Sequence, residues 1–595
     1  VTCLQRRGTA MMHPLMPEFE EGEREALTID RLFHAGVGRA TLGLSPAAIS
    51  LATFDWAVHL ASHPGKQFAL MDEAMRNALR FNTYLFGRMT GTCPEPCTKP
   101  WTGDDRFGAE QWQRFPYDAF EQGFLLTQAW WHNATTGIRG VTSHHEDVVN
   151  FLGRQVLDFY SPSNFLPTNP EVLEHTVSQG GANLVQGFAN LLEDTERSLS
   201  GRPPAGAEHW QVGENLAVTP GKVVYRNRLM ELIQYEPATK TVYPEPVLIC
   251  PAWIMKYYIL DLQPGKSLIE YLVSKGHTVF VISWKNPSRE DRDLGMDNYR
   301  REGVMDALDA VTSIVPERQV HAVGYCLGGT LLLIAAAAMA RDGDDRLASM
   351  TLLAAQADFT EPGELDLFID ESQVTFLEDM MWEEGYLDGA KMTGAFQLLR
   401  SKDLIYSRLI HEYLMGQRST VIDLMAWNAD TTRLPYRMHS EYLRDLFLNN
   451  DLVEGRYDVG AQPVHIGDIQ VPTFVVGTEK DHIAPWHSVY KINRFLPRAE
   501  VTFTLTTGGH NAGIVTPPGH PRRVYRSLVR QRHAPYLPPK QFLQKAPQQE
   551  GSWWPEWEGW LREHSGNRVA PPSLGLKEGP YQPLDEAPGT YILQD

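Results

Sequence analysis

The spacing of apolar residues changes near residue 200. Over 29–192 they recur at three- and four-residue intervals, as in 68–86 and 119–134, the period of helices with one buried stripe. Proline and asparagine interrupt this pattern, as in Ser161-Pro-Ser-Asn-Phe-Leu-Pro-Thr-Asn-Pro170, and predict turns there. The Gly- and Pro-rich stretch 200–207 reads as a linker. Beyond it, short apolar runs at 247–250, 278–283, 320–324, 350–354, 473–476 and 500–505 alternate with helical stretches, among them 297–315 and 327–341. Most of these runs are apolar at consecutive positions, as strands buried on both faces require. The alternation predicts an α/β fold, a mostly parallel sheet with crossover helices. Between about 358 and 469 the rhythm is broken by a helix-rich stretch, which predicts a helical cap inserted over the sheet.

The chain thus divides into a mobile N-terminal segment 1–28, a helical N-terminal domain 29–199, an α/β domain 200–565 carrying the cap, and a C-terminal tail 566–595. Its 595 residues exceed what one compact core accommodates. With 43% hydrophobic and 10% aromatic residues, large cores are available and general disorder is excluded.

Charge narrows the partners. A formal net charge of −19 argues against a broad nucleic-acid-binding face, although a local basic rim would still accept an anionic substrate. The five cysteines, Cys3, Cys93, Cys97, Cys250 and Cys326, are few and odd in number, which suits a reducing compartment better than a disulfide framework. Cys93 and Cys97 have metal-like spacing but no second pair downstream, and read as part of a Cys-Pro-Glu-Pro-Cys turn. No run approaches the roughly 18 apolar residues of a membrane span, and no secretory signal pattern opens the sequence. The expectation is a cytoplasmic protein without a transmembrane segment or a metal.

The chemistry concentrates at Gly324-Tyr-Cys326-Leu-Gly328-Gly329, between a predicted strand and a predicted helix. A nucleophile on a sharp strand-to-helix turn needs small residues two before and two after it, and Gly324 and Gly328 meet both conditions. The helix that follows aims its N-terminus at Cys326, favouring the thiolate and offering backbone N–H groups to an oxyanion. A free cysteine is more often just a small buried hydrophobe; the strand–turn–helix context weighs against that here. An acid and a histidine then follow in the order such a site demands. Asp481 lies after the run 473–476, in Gly477-Thr-Glu-Lys-Asp481-His-Ile-Ala-Pro485-Trp486, and His510 lies after the last run, in Gly508-Gly-His510-Asn-Ala-Gly513. Both positions are strand C-terminal ends, where ligands collect in open α/β sheets. His482 is a rival base, but it sits beside the acid and reads as structural.

These motifs resemble the polyhydroxyalkanoate synthase family. So do Tyr257-Tyr-Ile-Leu-Asp-Leu262, Ser283-Trp-Lys-Asn-Pro287, Trp427-Asn-Ala-Asp430, Trp553-Trp-Pro-Glu-Trp-Glu-Gly-Trp560 and Leu157-Asp-Phe-Tyr-Ser-Pro-Ser-Asn164. The resemblance runs from about residue 30 to the C-terminus. It implies an α/β-hydrolase fold, with Cys326 as the acyl-carrying nucleophile, His510 as general base and Asp481 as the acid. It further implies 3-hydroxyacyl-coenzyme A as substrate, a growing polyester chain and its granule surface as partners, a homodimer, and no cofactor beyond the coenzyme A of the substrate. Chain length and the cysteine motif lean toward the single-subunit, short-chain type, whereas 289–299 resembles medium-chain enzymes about as well.

Leu327, the residue after the nucleophile, and Ile254 and Met255, on the loop after the run 247–250, are the candidates for oxyanion and substrate contacts. Many relatives carry asparagine where Met255 stands; this reads as tolerated variation if the donor is a backbone N–H, and as a slower or differently selective enzyme if the asparagine side chain supports the loop or substrate. Cysteine suits a polymerase, because a thioester acyl-enzyme keeps the substrate's activation for the next transfer to a hydroxyl. Two alternatives stand beside this: a cysteine thioesterase or polyester hydrolase on the same fold, and a non-catalytic granule-surface protein. The tryptophans at 553–560 read mainly as core packing, and Asp261 and Asp430 as turn or cap residues at least as readily as substrate ligands.

Overall fold

The computed structural model describes residues 21–594, apart from 42, 93–94, 390, 392–393 and 395–397. Residues 1–20 and Cys93, on which part of the sequence reading falls, therefore lie outside the described residues.

Ten strands form one sheet: β1 (Gly221–Arg226), β2 (Met230–Tyr235), β3 (Val247–Cys250), β4 (Val279–Trp284), β5 (Val320–Tyr325), β6 (Leu347–Leu353), β7 (Thr473–Thr478), β8 (Val501–Thr506), β9 (Val524–Arg530) and β10 (Gln548–Glu550). Their order is β1-β2-β4-β3-β5-β6-β7-β8-β9-β10. The six strands from β4 to β8 pair in parallel, while β1, β2, β9 and β10 add antiparallel margins. All six apolar runs read from the sequence are these parallel strands, and nearly every residue in them is buried. The helix Leu327–Asp342 follows β5 directly and is buried continuously from Leu327 to Met339, which is why it carries no polar stripe. Upstream, the helical stretch from Met296 to Ile314 winds with π geometry over Tyr299–Met305.

The N-terminal region is helical, with α1 (Glu21–Ala40), α2 (Pro46–Ser62), α3 (Pro64–Thr90), α4 (Tyr117–Thr135), α5 (Ser143–Phe159), α6 (Pro170–Ser178) and α7 (Ala182–Leu199). Helix starts carry the caps their sequences announce: the side chains of Ser45, Thr142 and Asn169 each accept a first-turn N–H. One expectation needs correction, since α1 begins at Glu21 and not at Ile29. α1 packs along Glu371–Glu384 of the cap, where His34 Nδ1 meets Asp379 at 2.7 Å and Arg31 approaches the same carboxylate at 3.5 Å.

After β6 the chain leaves the sheet and returns only at β7, with helices at Glu371–Glu384, Asp423–Ala429 and Tyr436–Glu441. The N-terminal helices also contact this insertion through α7, whose Asn190 amide donates to the Glu412 carbonyl (2.9 Å) and whose Asp194 pairs with Arg418 (2.8 Å).

The stretch 566–595 is not a separate tail. Asp585 and Leu584 exchange backbone bonds with Val223, and the Ala587 N–H donates to Gly221 O, so this stretch lines β1. Buried Glu231 on β2 accepts from the N–H groups of Thr590 and Tyr591, which gives its carboxylate the partners a buried charge needs.

Candidate active site

The turn after β5 holds Cys326 at φ 52°, a left-handed conformation that costs strain in a residue with a Cβ. Two glycines permit the turn. A Cβ on Gly324 would lie 2.8 Å from the Gly329 nitrogen, and one on Gly328 would lie 2.6 Å from the carbonyl carbon and oxygen of Pro251. The elbow helix is thereby pressed against both β5 and the loop that follows β3. Cys326 is half-buried between the cores on the two sides of the sheet, at the positive end of a 16-residue helix.

The structure brings the other two predicted residues to it. His510 opens the short helix His510–Ile514 after β8, and its Nδ1 lies 2.8 Å from Asp481 Oδ2. Asp481 Oδ1 accepts the N–H groups of Ile483 (3.0 Å) and Ala484 (2.8 Å), and Oδ2 also accepts the Thr478 hydroxyl (2.8 Å). With Nδ1 committed, Nε2 is the nitrogen left for Cys326. Burial pushes His510 toward its neutral form, but the Asp481 carboxylate and the neighbouring Cys326 sulfur outweigh it and hold the imidazole well above its ordinary value. For Asp481, burial would favour protonation; the His510 charge and the hydrogen bonds named above prevail and keep its carboxyl below the usual range. His482 is not part of this chain of bonds. Burial, with Arg400 nearby, depresses its imidazole, and its carbonyl accepts the Glu364 N–H at 3.0 Å.

Leu327 is the first residue of the elbow helix, so its N–H has no partner within the helix. Ile254 and Met255 are half-buried on the loop that Gly328 abuts. The cap holds this loop: Thr432 Oγ1 donates to Trp253 O (2.7 Å), Trp427 Nε1 donates to Lys256 O (2.8 Å), and Met255 pairs with Thr431 in an antiparallel bridge. Lys256 is almost fully buried and pairs with Asp430 (2.7 Å), which also accepts the Tyr258 hydroxyl (3.0 Å). Asp430 therefore fastens the cap to the loop. Asp261, also buried, accepts the hydroxyls of Thr219 and Ser267, both at 2.6 Å, as a turn residue does.

Sequence reasoning missed two neighbours of His510. Tyr325 stacks against the His510 ring, and its hydroxyl donates to Asn511 Oδ1 at 2.6 Å; their adjacency to Cys326 and His510 was the available signal. The tryptophans do pack in the core, and two of them also brace the His510 helix, for Trp553 and Trp554 donate their indole N–H groups to Gly513 O and Ile514 O at its end.

Known proteins with related sequences decide the family. Residues 24–66 match the model described as Poly-beta-hydroxybutyrate polymerase N terminal, 103–272 that of the Poly-beta-hydroxybutyrate polymerase (PhaC) N-terminus, and 245–517 that of the alpha/beta hydrolase fold. A poly(3-hydroxyalkanoate) polymerase of Methylorubrum extorquens is 39% identical over 98% of this chain and 99% of its own length. The chain belongs to the poly(3-hydroxyalkanoate) polymerase family. Two further relatives are named poly(3-hydroxyalkanoate) polymerase subunit PhaC. That of Rhizobium meliloti is 38% identical over 87% of this chain and 86% of its own. That of Cupriavidus necator is 35% identical over 82% and 83%. Family membership thus covers the N-terminal helices as well as the sheet. Among the described residues no group of side chains could hold a metal ion, and no helix is long and apolar enough to cross a membrane.

Proposed function

We propose that this family member polymerises (R)-3-hydroxyacyl groups from their coenzyme A thioesters into polyhydroxyalkanoate, with Cys326 as nucleophile. One observation carries the reading: a cysteine strained at a helix N-terminus faces a buried histidine whose far nitrogen bonds a buried carboxylate. His510, raised as it is, takes the Cys326 proton and stabilises the thiolate. The thiolate attacks the thioester carbonyl, the oxyanion forms toward the N–H of Leu327 and the loop of Ile254 and Met255, and the coenzyme A thiolate departs with a proton from His510. The 3-hydroxyl of a second acyl group then gives its proton to His510 and attacks the Cys326 thioester, forming an ester and freeing the thiolate. Coenzyme A is part of the substrate and a product, so the cycle calls for no resident cofactor.

The relatives' shared name, and a match that includes the N-terminal region, support a polymer product over a free hydroxy acid. The reading extends to a homodimer acting at the surface of polymer granules in the cytoplasm, with short-chain acyl groups preferred. The test is coenzyme A release from 3-hydroxybutyryl and 3-hydroxydecanoyl thioesters, with product mass measured alongside. High-mass polyester, formed faster from the short thioester, is expected. Stoichiometric free hydroxy acid without polymer would mark a hydrolase and refute the reading.

A further inference from the structure

We infer that Tyr325 is a positioning residue that holds His510 in register with Cys326 through its hydrogen bond to Asn511. The inference deepens the proposed reaction and rests on Cys326 and His510 being its nucleophile and base.

Tyr325 ends β5 and immediately precedes Cys326; Asn511 immediately follows His510, beyond β8. In the sheet β6 and β7 lie between these two strands. The ladder through β6 and β7 spaces the ends of β5 and β8, but it does not set the side chains on the two turns beyond them. The bond from the Tyr325 hydroxyl to Asn511 Oδ1, 2.6 Å long, ties the residue before Cys326 directly to the residue after His510. The same phenol ring lies near-parallel to the imidazole, with planes 29° apart and centroids 5.8 Å apart. Asp481 fixes one nitrogen of His510, and the Tyr325 ring packs along the face of the imidazole. The charged groups that act on His510 are Asp481 and Cys326, with His482 near it on the acid turn. Tyr325 adds no charge of its own: burial, reinforced by Cys326 and Asp481, holds its phenol far above its ordinary value, so it stays a neutral donor throughout the cycle. Its contribution is geometric, and displacements of about 1 Å at a reacting pair are costly.

Tyr325→Phe keeps the stacked ring and removes only the tether. Loss of one positioning hydrogen bond is expected to lower kcat for coenzyme A release by roughly tenfold with KM within about twofold. The rate of Cys326 alkylation by iodoacetamide should also rise at higher pH than in the wild type, because a displaced imidazole stabilises the thiolate less. Asn511→Ala should reproduce both effects, and the double variant should be no worse than either single one. Wild-type kcat and an unchanged alkylation profile in Tyr325→Phe, or multiplied losses in the double variant, would overturn the assignment; should Tyr325→Phe not fold, Asn511→Ala decides alone. Failure of the underlying reaction looks different: coenzyme A release would persist in Cys326→Ala, whatever Tyr325 does.

Discussion

Gly328→Ala probes how closely the elbow helix must approach the loop of the proposed oxyanion donors. The added methyl would stand 2.6 Å from the Pro251 carbonyl carbon and oxygen, and nearer still to the Cys250 carbonyl oxygen. An ordinary carbon–oxygen approach is about 3.3 Å, so helix and loop must part by roughly 0.7 Å or more. All of the obstructing atoms are backbone at the end of a buried strand, and they cannot rotate aside. Overpacking of this kind costs about 1–3 kcal/mol of stability. The separation also pulls the Leu327 N–H away from Ile254 and Met255, and a misplacement near 1 Å in a catalytic constellation lowers turnover by about 10²-fold. Coenzyme A release measured on protein first shown to be folded by circular dichroism isolates the second effect. Gly36→Ala is the matched control: nothing lies within 4 Å of its added Cβ, and inside α1 it should stabilise by up to about 1 kcal/mol. A folded Gly328→Ala protein with wild-type turnover would show that close contact between elbow and loop is not needed.

Three other outcomes are expected. Asp481→Asn should slow elongation more than acylation, since a thiol beside His510 and a helix N-terminus is already activated whereas an alcohol depends on the base; rapid-quench mass spectrometry should catch a stalled acyl-enzyme, and its absence while Cys326 still alkylates would reverse the preference. Hydrogen bonds to Asp366 and Asp370 outweigh burial and raise the His144 imidazole to about 9. Because this lies above the unfolded value of 6.5, the stabilisation is full below 6.5 and is lost as pH rises through about 9. The Tm gap between wild type and His144→Gln should therefore be widest near about pH 6 and close by about pH 10, and a constant gap would contradict the pairing of α5 with the cap. Trp557→Ala removes a fully buried indole that donates to Thr351 Oγ1 (3.0 Å) on β6, and urea unfolding should show a loss of about 3–5 kcal/mol; a loss below about 1 kcal/mol would place Trp557 outside the core.

The parallel strands were legible because each is buried on both faces, which leaves a continuous apolar run such as Val279–Trp284. The margins were not. In β9, Val-Tyr-Arg-Ser-Leu-Val-Arg mixes charge with apolar residues because it is only partly covered, and the edge at β1 is completed by 584–587, more than 350 residues away in sequence. No local pattern announces a partner at that distance. In the site, the meeting of Cys326, Asp481 and His510 was readable because each follows a strand in a fixed order. Tyr325, Asn511 and the clamp of Lys256 with Asp430 were not, since their meaning arises only when separate loops meet above the sheet.

If Cys326 is the nucleophile, acyl groups pass through its sulfur. Brief incubation with 3-hydroxybutyryl-coenzyme A, an acid quench, proteolysis and mass spectrometry test it most directly. The expected result is the acyl mass on the peptide containing Cys326, no label at Cys97 or Cys250, and neither label nor coenzyme A release in folded Cys326→Ala. An acyl group carried on another residue, or turnover that survives Cys326→Ala, would contradict it.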